Sequence, residues 1–239
     1  MTGFRSFLFN VLFYANLLLF LVLGSPLLAA PRAVAMRALR LWAKTSLVLL
    51  RLVCGTGMEV RGLENLPRGP LLVAGKHQSF WETFAILPLL DDPCMILKRE
   101  LTLIPLFGWF ALKFRMIAVE REEGPQALRR MMKRAKEEIA AGRQIVIMPE
   151  GTRRAPGAPP AYKPGAAALY GALGVACVPF GLNAGVFWPR RSFLRRPGTI
   201  VLEFCPALPS GLARAEFQKR LEEAIETSSN RLLAEAKQN

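Results

Sequence analysis

The sequence predicts an α/β fold: a mixed or mostly parallel sheet covered by helices, with an N-terminal membrane-associated helical arm. Three observations predict it. From about residue 58 onward, short apolar runs alternate with helical patterns. Before that point no acid occurs, and a long apolar stretch is flanked by arginines. Of the 239 residues, 52% are hydrophobic and 21% charged, which excludes disorder and fibrous repeats. The expected division is a helical arm over residues 1–57 and an α/β domain over 58–239.

The arm comes first. Phe7 to Leu23 is apolar except for Asn10, Tyr14 and Asn16, and is closed by Gly24-Ser25-Pro26. As a helix it would be about 26 Å long, against roughly 30 Å of hydrocarbon core, so it belongs in lipid without an assured crossing. In the next segment, Ala33 to Val53, Arg37, Arg40, Lys44 and Arg51 fall within about 60° on a helical wheel, and Leu39, Trp42, Leu49 and Leu50 lie elsewhere. That pattern predicts an interfacial helix, with cations at lipid headgroups and apolar side chains between them. Two other readings stand beside it: an amphipathic helix packed on the domain, and a cleaved signal peptide for the apolar run.

The domain is expected to contain strands at Leu71 to Ala74, Cys94 to Leu97, Met116 to Val119, Ile145 to Met148, Val175 to Pro179 and Thr199 to Phe204. Between them the periodicity predicts helices at about Phe80 to Leu90, Leu103 to Phe114, Gln126 to Ala141 and Gly165 to Leu173, with a last one from Leu212 to Ala236. Ala155 to Gly165 (APGAPPAYKPG) is read as a loop beside a site.

Lysine and arginine number 32 against 18 acids, a formal charge of +14, of which +6 lies in the acid-free arm. The excess predicts anionic partners. Nucleic acid is set aside, because aromatics do not interleave with the basic clusters and no helix-turn-helix or RNA-binding signature is present. The basic excess also places the domain on the cytoplasmic side of the inner (cytoplasmic) membrane. Arg190, Arg191, Arg195 and Arg196 can be read as a headgroup contact, a contact for an acidic donor, or an exposed loop. His77 is the one histidine, so a multi-histidine metal site is excluded. Cys54, Cys94, Cys177 and Cys205 form no CxxC pair and are read as reduced core residues.

The candidate chemistry sits at strand ends. His77 follows Gly75-Lys76, and Glu82 comes five residues later, where its carboxylate can fold back on the imidazole, fix its tautomer and stabilise the charge it acquires. Ser79-Phe80-Trp81-Glu82 also matches a capping box, which accounts for Glu82 without any chemistry. After the strand Ile145 to Met148, Pro149-Glu150-Gly151-Thr152-Arg153-Arg154 gathers backbone amides, a hydroxyl and guanidinium groups into a cradle suited to phosphate. Arg121 is a further candidate cation, or solvated surface charge.

In order, these segments resemble the glycerolipid acyltransferase family, specifically the 1-acylglycerol-3-phosphate acyltransferases. The blocks are His77 to Glu82; Lys98-Arg99-Glu100-Leu101 through Ile104-Pro105 and Gly108 to Glu120-Arg121; Pro149 to Arg153; and Val178-Pro179-Phe180. The resemblance implies His77 as general base, Glu82 as its orienting acid, and Arg121, Glu150, Gly151, Thr152 and Arg153 as the site for the acceptor phosphate. Two departures stand out: Glu82 where the family usually has Asp, and Arg115 where it usually has Gly.

Neither Ser79 nor a cysteine sits in a nucleophile elbow, so direct transfer is expected without an acyl-enzyme. The expected substrates are a lysophospholipid and an acyl thioester. Acyl-CoA or acyl-carrier protein would serve as co-substrate, the carrier protein being a possible protein partner, and no other cofactor is expected. The expected surface partner is an anionic membrane. An acceptor such as a lyso-ornithine lipid, and a non-catalytic basic membrane-peripheral protein, are the alternatives.

Overall fold

The computed structural model describes residues 1–120 and 124–238. Two helices, α1 (Thr2–Leu23) and α2 (Arg32–Leu49), lead through a π turn at Leu50–Cys54 into β1 (Thr56–Arg61). Then follow β2 (Leu71–Gly75), α3 (Trp81–Ala85), β3 (Pro93–Lys98), α4 (Phe107–Lys113), β4 (Ile117–Val119), α5 (Gly124–Ala140) and β5 (Gln144–Ile147). The chain ends with α6 (Gly165–Leu173), β6 (Cys177–Leu182), α7 (Ala184–Phe187), β7 (Gly198–Phe204) and α8 (Arg214–Gln238). The seven strands form one sheet in the order β1-β7-β6-β2-β5-β3-β4. Every neighbouring pair is parallel except β6 with β7. The expected mostly parallel sheet covered by helices is therefore present, and all six expected strands occur with slightly shifted ends.

The differences have local causes. The helix expected over Phe80 to Leu90 ends at Ala85 and continues only as a 3-10 turn, Leu87–Leu89, because Pro88 has no N–H to donate and its ring crowds the preceding turn. Pro105 likewise splits the helix expected from Leu103: a 3-10 turn covers Arg99–Leu103, and α4 starts only at Phe107. The edge strand β1 was not expected, since TGMEVR offers only Met58 and Val60 as alternating apolar residues. Arg115 stands at φ 56, a left-handed conformation that glycine reaches without steric cost. Its guanidinium turns to Glu138 (Nε to Oε1, 3.0 Å) and does not line the cavity described below.

Alternation along the strands creates two cores. Leu71 and Val73 of β2 and Val146 of β5 face one side; Leu72, Ala74, Ile145 and Ile147 face the other. The second side is covered by α5, α6 and α8 through Met131, Leu169, Phe217, Leu221 and Ile225. The first side is covered by the arm: Phe9 and Phe13 of α1 and Met36, Leu39 and Trp42 of α2 belong to the same core as Leu71 and Val73. Apolar residues on both sides of residue 57 thus share one core.

This corrects the apolar half of the interfacial-helix expectation for Ala33 to Val53. The side of α2 that carries Leu39 and Trp42 is packed against protein. Of the basic stripe, Arg40 donates to the carbonyls of Leu90 and Asp91, while Arg37, Lys44 and Arg51 are exposed; Arg32, before the stripe, makes a two-pronged pair with Asp92 (2.7 and 2.5 Å). Two of the three polar interruptions of α1, Asn10 and Asn16, also face protein, whereas Tyr14 is exposed. Asn16 donates to Thr45 and Ser46 Oγ atoms at 3.1 and 3.0 Å, and Asn10 accepts from Arg195 at 2.9 Å.

Candidate active site

Parallel strands put their carboxyl ends on one edge, where α/β proteins bind ligands. Because β2, β5 and β3 are neighbours in register, the segments that leave them converge. His77 follows β2, the stretch Pro149 to Arg154 follows β5, and Lys98 ends β3. The first two loops are joined directly, since the Arg154 N–H donates to the His77 carbonyl at 2.8 Å.

His77 Nδ1 lies 2.8 Å from Glu82 Oε1, so the extra methylene of Glu82 is accommodated and the pair is formed. The same oxygen accepts from the backbone N–H groups of Gln78 and Ser79, both at 2.7 Å. Ser79 Oγ in turn accepts from Trp81 N–H at 3.2 Å. One carboxylate thus makes both the contact to the backbone at the helix start and the contact to the imidazole. Glu82 is fully buried, which fixes its direction, while the imidazole is 17% exposed. With Nδ1 engaged by a carboxylate, Nε2 is the ring nitrogen left to exchange a proton.

His77 lines a cavity of about 450 Å³. Its polar wall is Lys98, Gly151, Thr152 and Arg153; its apolar wall includes Leu17, Phe20 and Leu21 of α1 and Leu39 and Trp42 of α2. Gly151 makes the turn into this wall at φ 67, and its N–H donates to Met148 O at 2.8 Å. Arg153 is exposed and its guanidinium makes no ion pair among the described residues. Glu150 is placed differently from its motif neighbours: it is buried behind the loop, 3.2 Å from Lys76 Nζ, and does not line the cavity. Arg121 lies outside the described residues.

Two contributions to the cavity escaped sequence reasoning. Lys98 carried a signal, a cation at a strand end within a quoted block. The apolar wall from α1 and α2 carried none, because nothing local ties residues 17–42 to His77. The cluster Arg190 to Arg196 divides. Arg195 is buried, stacked 4.2 Å from the Trp188 ring centroid and bonded to Asn10, which removes it from any headgroup or donor contact. Arg191 and Arg196 are exposed.

Ser79 Oγ is occupied at the helix start, and all four thiols are buried. Burial pushes the Cys94 thiol up to about 12, and Cys177 also rises by burial, so neither is a thiolate at neutral pH.

Fold and site together define an α/β protein with a histidine–carboxylate pair at the carboxyl ends of its parallel strands, beside an apolar cavity with a cationic rim. The family model described as Acyltransferase matches residues 57–183, and the chain belongs to that family. It is 37% identical over 167 residues to the 1-acyl-sn-glycerol-3-phosphate acyltransferase of Pseudomonas aeruginosa, covering 70% of this chain and 65% of that protein. It is 34% identical over 104 residues to the lyso-ornithine lipid O-acyltransferase of the same organism, covering 44% of this chain and 39% of that one. The chain thus spans less than two thirds of the length of these curated relatives. The crystal structure of the 1-acyl-sn-glycerophosphate (LPA) acyltransferase PlsC from Thermotoga maritima superposes with a TM-score of 0.81 at 22% identity, over 100% of this chain and 99% of that one. That likeness confirms the fold, arm included.

Proposed function

We propose that the protein transfers an acyl group from an acyl thioester, acyl-CoA or acyl-carrier protein, to the free hydroxyl of 1-acylglycerol 3-phosphate, giving phosphatidic acid. The observation that carries this reading is the 2.8 Å contact between His77 and buried Glu82 on the wall of an apolar cavity rimmed by Lys98 and Arg153. His77 donates Nδ1–H to Glu82 and uses Nε2 to take the proton of the acceptor hydroxyl as that oxygen attacks the thioester carbonyl. Glu82 orients the ring and stabilises the imidazolium, which returns the proton to the departing thiolate. The acceptor phosphate sits against Thr152, Arg153 and the Gly151 turn, with Lys98 as a further cation; Arg121 retains a place there on its motif alone. Glu150 supports this loop from behind.

The membrane is the natural source of such an acceptor. The outer side of α1 exposes Phe4, Phe7, Val11, Leu18, Leu19 and Val22. α1 is one helix long and apolar enough to cross a bilayer, about 33 Å by its 22 residues. Yet it is held along the domain from Ser6, whose hydroxyl accepts from the Arg195 N–H at 2.8 Å, to Phe20, whose ring is 5.1 Å from Phe110. A helix fastened lengthwise to a globular domain inserts its free side into one leaflet. The proposed location is therefore the surface of the cytoplasmic (inner) membrane, with the site on the cytoplasmic side, as the basic excess supports.

The lyso-ornithine lipid relative favours a second reading, the same chemistry on an acceptor without phosphate. Free-thiol release from an acyl thioester, measured across a panel of lysolipids, separates the two, and no acceptor-dependent release at all returns a non-catalytic binder. On lysophosphatidic acid, Arg153→Ala is expected to cost about ten- to a hundredfold in acceptor kcat/KM with donor KM nearly constant, since a charge-assisted bond contributes roughly 1.5–3 kcal/mol. Arg153→Lys should recover part of this, keeping the charge without the planar fork. Unchanged acceptor kinetics in Arg153→Ala would sink the phosphate assignment.

A further inference from the structure

Behind the two loops that form the cavity lies a buried charged cluster that does not line it. Lys76 is only 2% exposed. Its ammonium lies 3.2 Å from Glu150 Oε1 and 2.5 Å from Glu226 Oε1. Tyr162 donates its hydroxyl to the same Glu226 oxygen at 2.8 Å, and its ring centroid is 5.7 Å from the ammonium. These four side chains come from four segments: the end of β2, the loop after β5, the Pro/Gly-rich loop Ala155 to Gly165, and α8.

Successive residues leaving a strand project to opposite sides. His77 goes to the cavity, so Lys76 goes to the α8 side, where Glu226 waits. The loop after β5 repeats the arrangement, with Glu150 turned back to Lys76 and Gly151, Thr152 and Arg153 lining the cavity. A buried ammonium is strongly disfavoured unless carboxylates surround it, so its position is dictated by theirs, and theirs by its own. One cation therefore couples the backbone that carries the imidazole to the backbone that carries the phosphate ligands.

We propose that Lys76 is a positioning residue for acyl transfer: seated between Glu150 and Glu226, its ammonium holds the loop of Thr152 and Arg153 in register with His77. The inference rests on the acyltransferase reading above. Burial, followed by the Glu226 and Glu150 charges, raises the Tyr162 phenol far above its usual range, so it remains a donor that locks Glu226 in place. The N–H of Lys163 adds a backbone tie to Pro149 O at 3.0 Å, fastening the Pro/Gly-rich loop to the same unit.

The test uses the full chain in mixed micelles, with acceptor varied at saturating donor and donor varied at saturating acceptor. Lys76→Met keeps the length of the side chain and removes the charge. It is expected to lower acceptor kcat/KM by at least about tenfold through a raised acceptor KM, with donor KM within about twofold. Lys76→Arg should restore part of the loss, because a guanidinium can bridge two carboxylates. Should Lys76→Met fail to fold, Glu226→Gln decides: it retains hydrogen bonding at a position remote from the cavity, and a rise of about three- to tenfold in acceptor KM is expected. A purely structural anchor would lower Tm and the active fraction while leaving acceptor KM at the wild-type value. That result in a folded variant overturns the inference. A wild-type protein inactive on every lysolipid instead removes the acyltransferase reading and the inference with it, a failure seen before any variant is compared.

Discussion

At Glu82 a single carboxylate oxygen receives His77 Nδ1 and two backbone N–H groups within 2.8 Å, so one atom both orders the start of α3 and orients the imidazole. The two roles can be separated by chemistry. In Glu82→Gln the amide oxygen can still accept from Gln78 and Ser79, but the charge beside the imidazole is gone. We expect kcat to fall by roughly 10²- to 10⁴-fold while thermal unfolding stays close to wild type. Near wild-type turnover would leave Glu82 with only its capping role. His77 and Glu82 were readable as a pair because their spacing is local, five residues across one turn. Glu150 was not readable in the same way: its neighbours Gly151 to Arg153 line the cavity, whereas its own side chain meets Lys76, 74 residues earlier in the chain.

Among the elements, β2 shows how closely the sheet and the site are packed together. Gly75 ends the strand one residue before Lys76, and a Cβ placed there would fall 2.2 Å from the Phe180 ring of neighbouring β6. Phe180 is itself fully buried, so the ring has nowhere to retreat. Gly75→Ala should therefore cost about 1–3 kcal/mol, the usual penalty of overpacking. Urea denaturation measures it, and an unshifted midpoint would show that the ring can give way. The strands were legible because runs such as Leu71 to Ala74 are apolar on both faces, as a doubly covered parallel sheet demands. Helix ends near Pro88 and Pro105 were misjudged because apolar periodicity ran through residues that cannot continue a helix.

For the molecule as a whole, the arm is the cover of one sheet face and one wall of the cavity. Deleting residues 1–54 would bare Leu71, Val73, Val146, Val178 and Leu202 on that face. The truncated chain is expected to aggregate and to lose cooperative thermal unfolding; a soluble, cooperatively folding fragment would show that the sheet stands without its cover. The sequence alone determined six of the seven strands, the closeness of His77 and Glu82, the turn that follows β5 and the family these segments resemble, because each is written in residues close together in the chain. Only the tertiary structure decided what the arm's apolar faces touch, where Glu150 points and what Lys76 joins. The physical reason is that burial is non-directional: Leu39 and Trp42 give the same sequence signal whether lipid or a β-sheet removes them from water, and only the packed chain says which does.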